Sequence, residues 1–288
     1  MKKIAIVTDS NSGITQEEAD KWGIYVVPMP FIFNDEVYYE GVNLDQAKFY
    51  EIQASGTKIT SSQPTIGDIV ELWESLLKSY DEIVYIPMSS ELSGSCEKAE
   101  LFARDYEGKV FVVDNKRISV TMKASVLDAV KMVMDGKTAK QIKQYLEETA
   151  LDSSIYLMVD TLKYLKQGGR ITATAAAIGT ILGIKPILQI QGGKLDSYAK
   201  VKNIKVAKQK IIEALKKDLE TRFREIAEIG KLHMSVAHTQ NEENAMFFAE
   251  ELKKEFPNLK LDYVDPLSLS IATHTGPKVL AAVFYRVY

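Results

Sequence analysis

The stretch IVYIPMSSELSGS, residues 83–95, decides the fold. Its apolar start is too short for a helix, stops at Pro87, and passes through four serines and Gly94 into a segment of helical spacing. A short apolar run bounded by turn residues reads as a buried strand. The same sentence is written twice more in the first half. IAIV (4–7) enters the polar turn TDSNSG and a helix from about Gln16, and VFVVD (110–114) enters NKRIS and a helix through about Met134. YVVPMPFIF (25–33) reads as a further extended strand, because its two prolines forbid a helix. Strands alternating with helical crossovers imply a parallel sheet, and hence a three-layer α/β/α domain.

In such sheets ligands bind in the crevice outside the C-terminal strand ends. The connections leaving those ends carry Thr8, Asp9, Ser10 and Ser12, then Ser89, Ser90, Ser93 and Ser95, then Asp114 and Asn115. Hydroxyls and amides dominate that edge.

Near Leu151 the texture changes, where the polar helix KTAKQIKQYLEETA gives way to the fresh strand SIYLMVD. We read residues 1–151 as the N-terminal domain and 152–288 as a C-terminal two-layer α/β domain with a mixed sheet covered by helices on one side. Its signals are a GGR turn, a small-residue helix, the strand PILQI, a hairpin at QGGK (191–194), helices at about 203–220 and 242–255, and the strands HMSVAH and KLDYVDP. A last apolar segment reads as a helical tail. The length of 288 residues accommodates two such domains, since single cores rarely grow past about 250 residues.

Composition excludes several functions. With 36 basic against 39 acidic residues and a net charge of -3, nothing points to a nucleic-acid backbone or an anionic membrane as partner. The single cysteine, Cys96, leaves no disulfide framework or thiolate metal cluster and fits a cytoplasmic protein. The run IAIV is too short for a signal peptide. ITATAAAIGTILGIKPILQI (171–190) is broken by Lys185-Pro186, so a buried helix followed by a strand is expected, without stable membrane insertion.

No phosphate loop with its lysine, dinucleotide glycine turn or GxSxG elbow is present. His233, His238 and His274 do not form a metal-ligand set, and His233 and His238, five apart on a strand, point to opposite faces. We expect no metal and no cofactor. Three features carry chemistry instead. SSELSGS offers hydroxyls at a helix entrance, where unpaired N–H groups favour an anion. LKQGGR (165–170) has glycines for a tight turn or close approach beside the permanent charge of Arg170. ATHTGPK (272–278) holds His274, which donates or accepts according to its protonation. In KITSSQPTIGD (58–68), Thr65 and Asp68 start a helix, which leaves Thr60, Ser61 and Ser62 surplus to capping.

TDSNSG (8–13), TSSQP (60–64), SSELSG (89–94), VVDN (112–115), LKQGGR (165–170) and HTGP (274–277) resemble, in order and spacing, the motif series of the DegV family. The resemblance covers nearly the whole chain. It implies a lipid-binding protein, not an enzyme on its own, that holds one long-chain fatty acid of the C16 to C18 class. The acyl tail would be buried and the carboxyl group would lie near the domain interface. It further implies a partner, an ATP-using fatty acid kinase subunit that makes an acyl phosphate for phospholipid synthesis. Carried over residue by residue, the carboxyl-binding positions are Ser61, Ser93 and His274, supported by Ser62, Gly94 and Asn115. Arg170 matches the GGR arginine, which serves the phosphorylated product or kinase docking. Two departures stand out. Ser61 replaces a common threonine and keeps its hydroxyl, and Lys278 replaces the last glycine of HxGPG, which bears on the local backbone. The alternative, from a different class, is a serine esterase or thioesterase using Ser93 and His274 with Asp9.

Overall fold

The computed structural model describes residues 2–176 and 184–288. The chain parts between Ala150 and Leu151 into two compact units, and Ser268–Thr273 returns to the first of them. A division into two consecutive segments cannot express that return.

The first unit contains β1 (Ile4–Asp9), α1 (Gln16–Trp22), β2 (Ile24–Val27), β3 (Pro30–Phe33), β4 (Glu36–Tyr39), α2 (Gln46–Ala54), β5 (Thr60–Ser61), α3 (Ile66–Leu76), β6 (Glu82–Ile86), α4 (Ser95–Ala103), β7 (Val110–Val112), α5 (Ser119–Met134) and α6 (Ala139–Glu148). Its main sheet is four-stranded and parallel, in the order β2-β1-β6-β7. Alternation sorts the side chains between two faces. Ala5, Val7, Ile83, Tyr85, Val110 and Val112 pack on Ile69, Trp73 and Leu76 of α3 and on Cys96 and Ala99 of α4. Helices α5 and α6 lie against β1, β6 and β7 and supply the third layer.

The stretch 25–33 is not one strand. Pro28, without an N–H, ends the pairing of β2 with β1, and Pro30 opens β3, which belongs to a separate three-stranded antiparallel sheet in the order β4-β3-β5. Phe31 and Phe33 of that small sheet bury with Phe49 and Tyr50 of α2, and Leu269 and Ala272 from the returning segment join the same cluster.

The second unit contains β8 (Ser153–Met158), α7 (Lys163–Gly168), α8 (Ala173–Ala176), β9 (Lys185–Ile190), β10 (Asp196–Val201), α9 (Ile204–Thr221), α10 (Arg224–Glu228), β11 (Leu232–His238), α11 (Glu242–Glu255), β12 (Lys260–Pro266), α12 (Leu269–Thr275, divided between the units) and β13 (Leu280–Arg286). They build a six-stranded mixed sheet in the order β10-β9-β8-β13-β11-β12. QGGK is the turn of the β9–β10 hairpin, with Gly192 at φ +88°. Of the small-residue run ATAAAIG, the first four residues form α8 and the rest lies outside the described residues.

The final apolar segment is a strand and not a helical tail. LAAVFY is buried throughout and pairs antiparallel with β8 on one side and β11 on the other. A seven-residue segment buried on both faces has no polar side to show a period, so helix and strand look alike in its sequence. Helices α9 and α11 cover one face of the sheet, where Tyr156, Met158, Ile187, Met234, Val236, Ala282 and Phe284 meet Ile211, Leu215, Phe248 and Leu252. Among the described residues no helix is long and apolar enough to cross a membrane.

Candidate functional site

In the first unit the loops after β1, β6 and β7 interlock through hydrogen bonds. Asp9 ends β1 fully buried and accepts from the Asn11 N–H (3.0 Å), from Asn11 Nδ2 (2.7 Å) and from the Met88 N–H (2.9 Å). Burial pushes its carboxyl above the usual range, against the pull of those three donors. One loop further, Ser89 donates its N–H to the Arg117 carbonyl (3.1 Å), and Ser90 donates its hydroxyl to Asp114 Oδ2 (2.6 Å). Lys116 closes that pair at 2.7 Å from the same oxygen and, together with Ser90, holds the Asp114 carboxyl below its ordinary range although burial opposes this. These contacts bring SSELSG and VVDN to one edge.

Asn115 lies between them with no exposed surface. Its Oδ1 accepts from the Arg117 N–H (3.2 Å), while its Nδ2 is buried without a hydrogen-bond partner among the described residues. A buried donor left unmade is costly and rare in a native fold. Gln63 Oε1 is a second buried atom of this kind, and a Cβ built on Gly94 would lie 4.0 Å from it. TSSQP therefore reaches the entrance of α4. Ser61 sits on the two-residue strand β5, paired with Phe31, and the Ser62 N–H donates to the Pro30 carbonyl (3.0 Å). Thr65 caps α3 by accepting from the Asp68 N–H (3.1 Å), the role its sequence position implies. Gly94 occupies the N-cap of α4 without a side-chain cap, and Ser93 Oγ accepts from the Ser95 N–H (3.2 Å). Gln63 is one site residue that sequence reasoning missed, although it stands inside a motif already singled out.

In the second unit the GGR and HTGP motifs come together by close packing. A Cβ on Gly168 would stand 2.2 Å from His274 Nδ1, so only glycine lets the imidazole lie where it does. Gly169, at φ +67°, makes the left-handed end of α7. The two glycines thus divide the turn and the close approach between them. Gly276, at φ +76°, repeats the arrangement, since a Cβ there would meet the Tyr164 ring at 2.4 Å. Arg170 is exposed and donates from Nη1 to the Gly168 carbonyl (2.5 Å). Burial, and then the charge of Arg170, push the His274 imidazole down to about 4, so it is neutral at pH 7.

Thr239 organises the backbone of this turn. Its Oγ1 donates to the Gly276 carbonyl (2.7 Å) and accepts from the Val279 N–H (2.9 Å), and its own carbonyl accepts from the Lys278 N–H (2.7 Å). Lys278 is held at φ +63°, a left-handed conformation that explains why glycine suits the position. No motif contains Thr239, and a buried threonine past a strand end gives no sequence signal of such a role.

The structure thus gathers the predicted residues into two clusters, Ser62, Gly94 and Asn115 with their loops in the first unit, and Arg170 with His274 in the second. A family model described as "Uncharacterised protein, DegV family" matches residues 3–287. The protein named DegV of Bacillus subtilis is 31% identical over 280 residues, covering 96% of this chain and 97% of that relative. A fatty-acid-binding DegV family protein from Thermus thermophilus superposes with a TM-score of 0.89 at 26% identity, covering 99% of this chain and 100% of that one. The structure of DegV from Bacillus subtilis, described as a fatty acid binding protein, superposes with a TM-score of 0.85 at 31% identity over 99% and 100% of the two chains.

Proposed function

The chain belongs to the DegV family, and we propose that it binds one long-chain fatty acid and presents the carboxyl group to a separate ATP-dependent kinase subunit. The observation that carries the reading is the fully buried Asn115, set in loops rich in hydroxyls, whose Nδ2 has no partner among the described residues. A carboxylate in an apolar site is costly unless several donors meet it, or unless it binds protonated. Ser61, Ser93 and Asn115 supply donors, Ser62 and Gly94 shape the loops that hold them, and neutral His274 serves either protonation state. The relatives described as fatty-acid-binding support the same ligand.

The tail dominates affinity. Each buried CH2 contributes about 0.8 kcal/mol, so a chain of about 16 carbons gives on the order of 10 kcal/mol gross. The head group then sets orientation and chemistry. In the kinase step a carboxylate oxygen attacks the γ-phosphorus of ATP, the bond to the β-phosphate oxygen breaks, and ADP leaves. The protein holds the nucleophile and is not catalytic alone. Exposed Arg170 serves the acyl phosphate or the docked kinase, and the need for ATP puts the protein in the cytoplasm.

Mass spectrometry of lipid extracted from the purified protein tests the reading. We expect about one fatty acid per chain, and Ser93→Ala is expected to lower acyl phosphate formation with a kinase partner about tenfold, the loss of one charge-assisted hydrogen bond. Protein that carries no lipid and takes up none on titration would refute it. Turnover of esters without ATP, with Ser93 labelled by a serine-reactive phosphonate, would put a hydrolase in its place.

A further inference from the structure

The face of the second sheet opposite α9 and α11 is apolar along most of its length and closes on a polar wall. Alternation and register assign Leu157, Ile155, Leu188, Ile190, Ala281 and Val283 to this face, all buried. Along β13, from the end that follows the His274 turn, the face reads Ala281, Val283, Tyr285. Tyr285 stands opposite His233 of β11 and has no exposed surface.

The hydrogen bonds around Tyr285 form a closed chain whose directions can be assigned. The Tyr263 N–H donates to Ser235 Oγ (3.2 Å). Ser235 then donates to the Tyr285 hydroxyl (2.7 Å), which donates to Asp262 Oδ2 (2.9 Å). His233 Nδ1 meets the same carboxylate oxygen at 2.7 Å, and Lys260 Nζ lies 2.9 Å from Oδ1. The hydroxyls of Tyr285 and Ser235 both donate within the chain, so the phenol ring is pinned by its own hydrogen bond and neither proton is offered to the apolar face.

We propose that Tyr285, held by Ser235 and Asp262, is the chain-length stop for the acyl tail, which runs along this face from the His274 end. The inference rests on the fatty-acid reading above and adds the specificity-determining residue. From Ala281 to Tyr285 the strand spans about 14 Å at about 3.4 Å per residue, a distance that about eleven carbons of an extended acyl tail cover. A tail that reaches the ring meets a group that cannot swing aside, because moving it leaves Asp262 and Ser235 short of a partner in a buried site.

The test is a series of saturated fatty acids of increasing length titrated onto delipidated protein. In the wild type, affinity is expected to rise about fourfold per added CH2 up to a break, beyond which it falls. Tyr285→Leu, which shortens the wall and leaves Asp262 with His233 and Lys260, is expected to move the break to longer acids by about two carbons. Val283→Ile, which thickens the tract by one methyl group, is expected to move it the other way, and it decides the matter if Tyr285→Leu does not fold. If either folded variant binds the preferred wild-type acid normally and breaks at the same length, Tyr285 is a packing residue only. Wild-type protein that binds none of the series overturns the fatty-acid reading itself, and the stop with it.

Discussion

The loops around Asn115 and the turn around His274 are held by different forces, and they differ in what they tolerate. The first cluster is a mesh of hydrogen bonds from Asp9, Ser89, Ser90, Asp114 and Lys116. A bond between neutral groups in it contributes about 1 kcal/mol and one to a carboxylate about 1.5–3 kcal/mol, so the stability of the cluster is shared among several. The second cluster is built by exclusion, with His274 lying on Gly168 and Tyr164 on Gly276. There a single methyl group has nowhere to go. A hydrogen-bonded site degrades gradually, whereas a site made of glycine contacts fails at one position.

Gly168→Ala tests that contrast most sharply. The added Cβ would displace the imidazole, and we expect a loss of about 1–3 kcal/mol in stability from overpacking together with a loss of fatty-acid occupancy. Thermal melting and lipid extraction would read both. Gly94→Ala, where the nearest atom is 4.0 Å away, should leave the melting temperature almost unchanged. An equal loss at the two glycines would break the comparison.

One titratable group in each unit gives a pH dependence, and the two have opposite signs. His274 has its folded pKa pushed down to about 4 from 6.5, so the unfolded chain takes up the proton first. Its contribution is fully present above pH 6.5 and is lost as pH falls through about 4, amounting to about 2 kcal/mol once its partial exposure is discounted. Glu40 in the first unit behaves in the opposite way. It accepts from the Leu269 N–H (2.6 Å) and from Ser10 Oγ (2.7 Å), and burial, aided by the charge of Asp9, pushes it up from 4.5 to about 7. Its contribution is fully present below pH 4.5 and is lost as pH rises through about 7. Denaturant titrations between about pH 4 and 7 should show His274→Asn tilting the stability profile in favour of the acid end and Glu40→Gln tilting it in favour of the neutral end. If both variants tilt the profile the same way, the opposition of sign is wrong.

The smallest expected effect sharpens the role of the turn. Lys278→Gly removes a left-handed lysine and should stabilise the protein by about 0.5–1 kcal/mol, with little change in lipid binding. A measurable loss of stability would mean that the lysine side chain contributes more than its backbone costs.

The parallel sheet was legible because each strand is announced by a polar turn and followed by a helical period, and α11 (Glu242–Glu255) and β12 (Lys260–Pro266) lie at the bounds their sequences imply. What escaped was non-local. Nothing near Leu269 says that it will pack with Phe31 and Phe49, because a short amphipathic segment carries no address. The split at Pro28 and the strand at Leu280–Arg286 were hidden for a related reason, since extended and buried segments look alike until their partners are known. Of the candidate site, the sequence pointed to the motif residues as one group, and the structure gathers them into one cluster in each unit. It did not point to Gln63 or Thr239, since their importance lies in an unmet amide oxygen and in a backbone clamp, neither of which residue type alone reveals.

The position of β13 in the middle of its sheet bears on the order in which the protein can be made. Strands β10, β9 and β8 are separated from β11 and β12 until Leu280–Arg286 is available to join them, and the cluster around Phe31 and Phe49 waits on Ser268–Thr273. The first unit cannot finish folding when Ala150 has left the ribosome, and the second cannot before Leu280–Arg286 has done so. Both hold incomplete apolar surfaces while the intervening chain is made, a high-contact-order route on which the nascent chain is exposed to aggregation.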